Sequence, residues 1–168
     1  APFVYSAPPV APVSVGAIRW DAWYGHRTGP GAEVARALAP AHFRHRLPFF
    51  ATLDGRGNVN LPGYSRQVMG AEIEGATAAG LRFWAFVLYP EGSEMDRGLQ
   101  SYLTHPQARR IDFCLISTTG HWNPATAPAL AERIGSLMAR PNHHRTPGGR
   151  PVLMLLAAPA SDGVTPGL

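Results

Sequence analysis

A chain of 168 residues has room for one sizeable core, but it falls short of the roughly 250 residues that a complete (β/α)8 barrel occupies. Its net charge of +4 rests on scattered arginines with no lysine at all, which argues against a nucleic-acid surface and excludes a Gly-Lys-Ser/Thr phosphate loop. The single cysteine, Cys114, excludes an internal disulfide or a cysteine-based zinc cluster, and no run reaches the roughly 18 apolar residues needed to span a bilayer.

Residues 1–12 contain four prolines and read as an extended arm, either the tail left after signal cleavage or a trimmed end; the first reading gives the expectation of a secreted or periplasmic protein. Residues 13–168 then form one domain. Val13–Trp20 is the first strand, with Asp21, Trp23 and Tyr24 at its carboxyl end. Arg19 and Asp21 share a face, either as an ion pair filling a barrel interior or as ligand-binding groups. His26–Gly31 is a glycine-rich turn, Glu33–Leu38 a short helix, and Pro40–Phe50 an irregular helical piece limited by its prolines. Asp54–Asn58 is a turn cluster. Residues 25–62 make a long connection where about 2–6 residues are usual, and in a barrel such an insertion lies on the carboxyl face.

Ser65 caps a helix through Ala79 whose apolar stripe is Val68, Met69, Ile73 and Ala76, and Gly80 ends it. Glu72 and Glu74 point in different directions on that helix and read as surface charges. The run from Leu81 to Leu88 is apolar on both faces, as a parallel strand covered by helices requires, and it stops at Tyr89, Pro90 and Glu91. Ser93 and Asp96 have capping-box spacing before a helix with Met95, Leu99, Tyr102 and Leu103 inward. Ile111–Ser117 is a third strand, followed by a polar and aromatic cluster containing His121 and Trp122. Asn123 caps the next helix with Pro124 at its first position, and Leu130, Ile134, Leu137 and Met138 mark its core face. Pro151–Ala157 is the fourth strand.

The fold class is therefore α/β, of the parallel (β/α) barrel type, with about four βα units present. No nucleotide-binding glycine fingerprint and no Gly-x-Ser-x-Gly elbow follows any strand. His42 and His45, and the neighbours His143 and His144, lack a carboxylate at ligand spacing, so no metal and no cofactor is expected. The open sheet edges of a half barrel invite self-association.

The stretch from Glu72-Ile73-Glu74 through Ala79-Gly80-Leu81-Arg82-Phe83-Trp84-Ala85-Phe86-Val87-Leu88-Tyr89 resembles the second βα unit of glycoside hydrolase family 99-like proteins, which include the WbsX-type group. Gly16-Ala17-Ile18-Arg19-Trp20-Asp21-Ala22-Trp23-Tyr24 is similar to that family's first strand. Phe113-Cys114-Leu115-Ile116 with His121-Trp122 is similar to its third, and Arg140–His143 with Gly149–Leu153 to the entry of its fourth. The likeness runs from Val15 to Leu156 and covers about the first half of the family's barrel. The sequence departs from the pattern at His121, where the family has asparagine, and at His143, where it has tyrosine. The Glu pair that acts in the hydrolases has no counterpart here, so no catalytic residue carries over.

The resemblance implies a carbohydrate-active, glycoside hydrolase-like protein, or else a non-catalytic carbohydrate-binding or scaffold module, or an inactive fragment. Sugars are held by aromatic faces together with carboxylates and amides. The candidate substrate-binding residues are Asp21, Trp23, Tyr24, Tyr89, Glu91, His121 and Trp122, all at or just beyond strand ends; ordinary rim packing is the alternative for the aromatics. The expected partner is a carbohydrate, with neither nucleic acid nor membrane.

Overall fold

The protein is described by a computed structural model covering residues 13–23 and 29–157, so the proline-rich arm and the last eleven residues lie outside the described part. Strand β1 (Gly16–Arg19) is shorter than expected. Helix α1 (Gly29–Leu38) starts inside the stretch read as a turn. Pro30 occupies its first turn, where the missing N–H costs nothing. A 3-10 segment (Ala41–Arg46) follows, and then a hairpin that periodicity did not reveal, β2 (Thr52–Leu53) with β3 (Val59–Asn60). Two-residue strands carry no readable alternation. The hairpin turn is held by Asp54, whose Oδ1 accepts from the backbone N–H groups of Arg56 and Asn58, both at 2.8 Å.

Helix α2 (Arg66–Ala78) forms as its caps predict. Ser65 Oγ accepts from the Val68 N–H at 3.1 Å, and Gly80 takes φ +81° while the Leu81 N–H closes on the Ala76 carbonyl. Strand β4 (Phe83–Val87) leaves it at once. Before α3 (Arg97–Leu103) the expected capping box does not form. Ser93 makes no side-chain cap, and Asp96 instead accepts from the Gly92 N–H, Gln100 and Arg133. After β5 (Asp112–Thr118), helix α4 (Ala127–Met138) begins three residues later than expected. Asn123 Oδ1 caps a preceding turn, accepting from the N–H groups of Ala125 and Thr126 at 3.0 and 3.1 Å. Strand β6 (Leu153–Leu156) completes the described chain.

Strands β1, β4, β5 and β6 form one parallel sheet in that order, each next to its predecessor. The fold is thus α/β, with a parallel sheet of four strands among the described residues. Helices α2, α3 and α4 cover one face. There Trp84, Phe86, Leu88, Phe113 and Leu115 of the sheet pack with Met69, Ile73, Leu99, Tyr102, Ile134 and Leu137. Each such buried side chain contributes about 1.5–3 kcal/mol. The other face carries a smaller cluster of Ala85, Cys114 and Ile116 with Phe83, Val87, Val152 and Met154 around it. Tyr102 ties the helix layer to the chain entering β5: its hydroxyl lies 3.0 Å from the Ala108 carbonyl and accepts from Asn142 Nδ2 at 2.9 Å.

Candidate functional site

Two clefts hold most of the polar strand-end residues, and they are separate. The first follows the exposed edge of β1 and is lined by Ala17 to Asp21 together with Trp23, Glu72 and Trp84, with a volume of about 320 Å³. Its centre is Arg19. Because Arg19 aligns with Phe86, it lies on the helix-covered face. The Arg19–Asp21 pair therefore does not fill a barrel interior. Its guanidinium stacks 4.4 Å from the Trp84 ring centroid, donates to Asp21 Oδ1 at 2.7 Å, and donates to Glu72 Oε2 at 2.6 Å.

Glu72 corrects the expectation of a surface charge: its side chain is 19% exposed, whereas that of Glu74 is 65% exposed. The spacing held the signal, since Glu72 follows Met69 by three and precedes Ala76 by four, placing it beside the apolar stripe. Burial raises the pKa of both Asp21 and Glu72, against the opposing pull of Arg19. The Asp21 carboxylate is wedged against α3. A Cβ on Gly98 would come within 2.1 Å of its Oδ2, so α3 approaches this closely only because residue 98 is glycine. Trp23 packs edge-on against Phe50, with centroids 6.2 Å apart, and over Gly63, where a Cβ would meet its own Cβ at 2.7 Å.

The second cleft opens at the carboxyl ends of β4 and β5, with a volume of about 360 Å³. Leu88, Tyr89, Pro90 and Glu91 form one wall; Gly120, Asn123, Thr126, Ala129 and Leu130 form the other, and Arg133 lies at the base. Arg133 was missed by sequence reasoning. It falls within the stripe of Leu130, Ile134 and Leu137, and a cation inside an apolar stripe is the cue that marks it. Its Nη1 donates to the Tyr89 carbonyl and its Nη2 to Asp96 Oδ1, each at 2.6 Å, which fixes the loop that presents Glu91. Asp96 is 1% exposed, and this pair is a strut beneath the cleft.

Of the expected site residues, Tyr89 and Glu91 thus share the second cleft, and Asp21 and Trp23 share the first. Trp122 stands between Gly120 and Asn123, its Nε1 donating to Ser117 Oγ at 2.9 Å, with the residue 39% exposed. His121 belongs to the short turn Thr119–His121. Tyr24 lies outside the described residues, as does the side chain of His121. Asp21 and Glu91 line different clefts.

Cys114 is fully buried in the sheet, and burial pushes its thiol up to about 11, which fits a small apolar filler rather than a nucleophile. Among the described residues no group of three His, Cys, Asp or Glu side chains gathers to hold a metal. No helix among them is long and apolar enough to cross a membrane. Comparison of the chain with protein-family models, curated proteins and solved structures finds no match. What defines the chain is its architecture: an α/β protein with, among the described residues, four parallel strands in consecutive order and a cleft at the carboxyl ends of the middle two.

Proposed function

We propose that the chain carries half of a parallel (β/α) barrel of the glycoside hydrolase family 99-like kind and binds carbohydrate in the cleft between Tyr89-Pro90-Glu91 and Asn123. The supporting observation is the composition of that cleft. It combines an apolar wall at Leu88 and Leu130, an aromatic residue, one carboxylate and one amide, at the end of the sheet where parallel βα folds bind ligands. A pyranose ring needs this mixture, an apolar surface for its C–H face and polar groups for its hydroxyls. The consecutive strand order with helices on one face supports the half-barrel reading.

Binding without turnover is favoured over hydrolysis within this chain. Glycosidic hydrolysis usually takes two carboxyl groups separated by about 5–9.5 Å, and among the described residues lining the cleft Glu91 is the only carboxylate. Export of such a protein would bring it to its polysaccharide.

Isothermal titration of the 168-residue chain with α-mannosides and other neutral oligosaccharides tests the reading. Saturable binding is expected, with Tyr89→Ala and Glu91→Gln each weakening it by roughly tenfold, or about 1.4 kcal/mol. Absence of binding to every saccharide would overturn it, and release of reducing sugar would replace the binding reading by a hydrolytic one.

A further inference from the structure

We propose that two copies of this chain close one eight-stranded parallel barrel, β6 of each copy pairing with β1 of the other. Among the described residues the sheet has four strands in consecutive order, all parallel, with β1 at one margin and β6 at the other. A second copy related by a two-fold axis along the barrel brings the count to eight, and both margins of both copies disappear in two identical ladders.

Among the described residues both margins expose apolar side chains. The cleft along β1 is lined by five consecutive residues, Ala17 to Asp21, with Trp23, Glu72 and Trp84 beside them, so it runs along the margin of β1 on its helix-covered side. Such a groove is what an added strand occupies. Val15, Ile18 and Trp20 there are 52%, 71% and 50% exposed, and Leu155 and Leu156 on β6 are 64% and 54% exposed. Natural edge strands are usually shielded by charge, proline or a bulge. β6 is Leu-Met-Leu-Leu, and the one charge on β1, Arg19, is turned under α2.

The register points to the same closure. Ile18 aligns with Ala85 and Ala85 with Cys114, whereas Leu156 aligns with Thr118, four residues further along β5. An eight-stranded barrel of this type has a shear of about 8, so each half must supply a stagger of about four residues. Closing with that stagger sets Leu156 opposite Ile18 of the second copy. An even shift keeps both side chains on one face, the face of Ala85 and Cys114, and the two most exposed apolar positions of that face meet.

Sedimentation equilibrium of the 168-residue chain tests the proposal, with a species of twice the 18.0 kDa chain mass expected. Ile18→Lys and Leu156→Glu alter exposed side chains, and each alone should raise the dissociation constant about tenfold or more, since each change falls in both symmetric ladders. The two together in one chain should restore the dimer through a Lys–Glu pair across the ladder. If either charged variant loses its helical circular dichroism, Ile18→Ser and Leu156→Ser are read in its place. A monomeric wild type, an open-ended series of larger oligomers, a dimer indifferent to the single changes, or a double variant that stays monomeric would each overturn the proposal.

Discussion

Arg19 sits with its side chain only 10% exposed under α2, and its charge is balanced by Asp21 and Glu72, at 4% and 19% exposure. Removing the cation leaves two carboxylates in a site that already disfavours their ionised forms. Breaking a buried pair in this way costs about 3–5 kcal/mol, whereas an exposed pair contributes about 0–1 kcal/mol. Arg19→Met is therefore expected to lower the unfolding free energy in urea by roughly 3 kcal/mol or more, and a loss under about 1 kcal/mol would show the triad to be a solvated surface feature. Arg19→Lys should recover little of it, because one ammonium cannot reproduce the planar fork that reaches both partners while stacking on Trp84. Sequence reading placed Arg19 and Asp21 on one face, with an ion pair inside a barrel as one of two readings; the pair forms, but under α2. That reading missed Glu72, which is 53 residues away, because whether a helix carboxylate meets water or a cation depends on what packs opposite.

At the scale of elements, local chemistry was readable where it is carried by near neighbours. Ser65 and Gly80 bound α2 because a hydroxyl cap and a left-handed glycine act within a few residues. Asp96 defeats the same logic before α3, since Arg133 on α4 competes for its carboxylate. The helical glycines separate these two levels. Gly75 in α2 and Gly135 in α4 have open space where a Cβ would go, while Gly98 in α3 has Asp21 within 2.1 Å of it. Gly75→Ala and Gly135→Ala are thus expected to stabilise by about 0.4–1 kcal/mol, through reduced freedom of the unfolded chain. Gly98→Ala is expected to destabilise by about 1–3 kcal/mol, by forcing Asp21 out of its seat. Thermal unfolding of the three variants checks the signs, and a stabilising Gly98→Ala would contradict the close approach of α3 to Asp21.

For the whole molecule, buried titrating groups set opposing trends with pH. His143 is 2% exposed, its Nε2 has no partner, and burial holds its pKa below the usual 6.5. The unfolded chain then binds the proton more readily, so the stability His143 contributes is full above pH 6.5 and is lost as pH falls through its folded value. Asp21 and Glu72 act the other way: with raised folded values, their contribution is present below their ordinary 3.8 and 4.5 and is lost as pH rises through the raised values. In His143→Phe only the first trend is removed. The difference in unfolding temperature between variant and wild type should therefore be nearly constant from pH 7.5 to 6.5 and shift in the variant's favour as the pH falls from 6.5 to 5.5, and a pH-independent difference would show that His143 does not titrate on unfolding. The sequence by itself determined the alternation of strands and helices, because periodicity, caps and two-faced apolar runs act over a few residues. Only the tertiary structure decided which strand-end groups meet. It put Asp21 beneath a helix with Arg19 and Glu72, and Tyr89 and Glu91 in a different cleft braced by Arg133. The physical reason is that strand direction fixes the end at which a side chain emerges, while the packing of distant helices fixes the cleft that receives it.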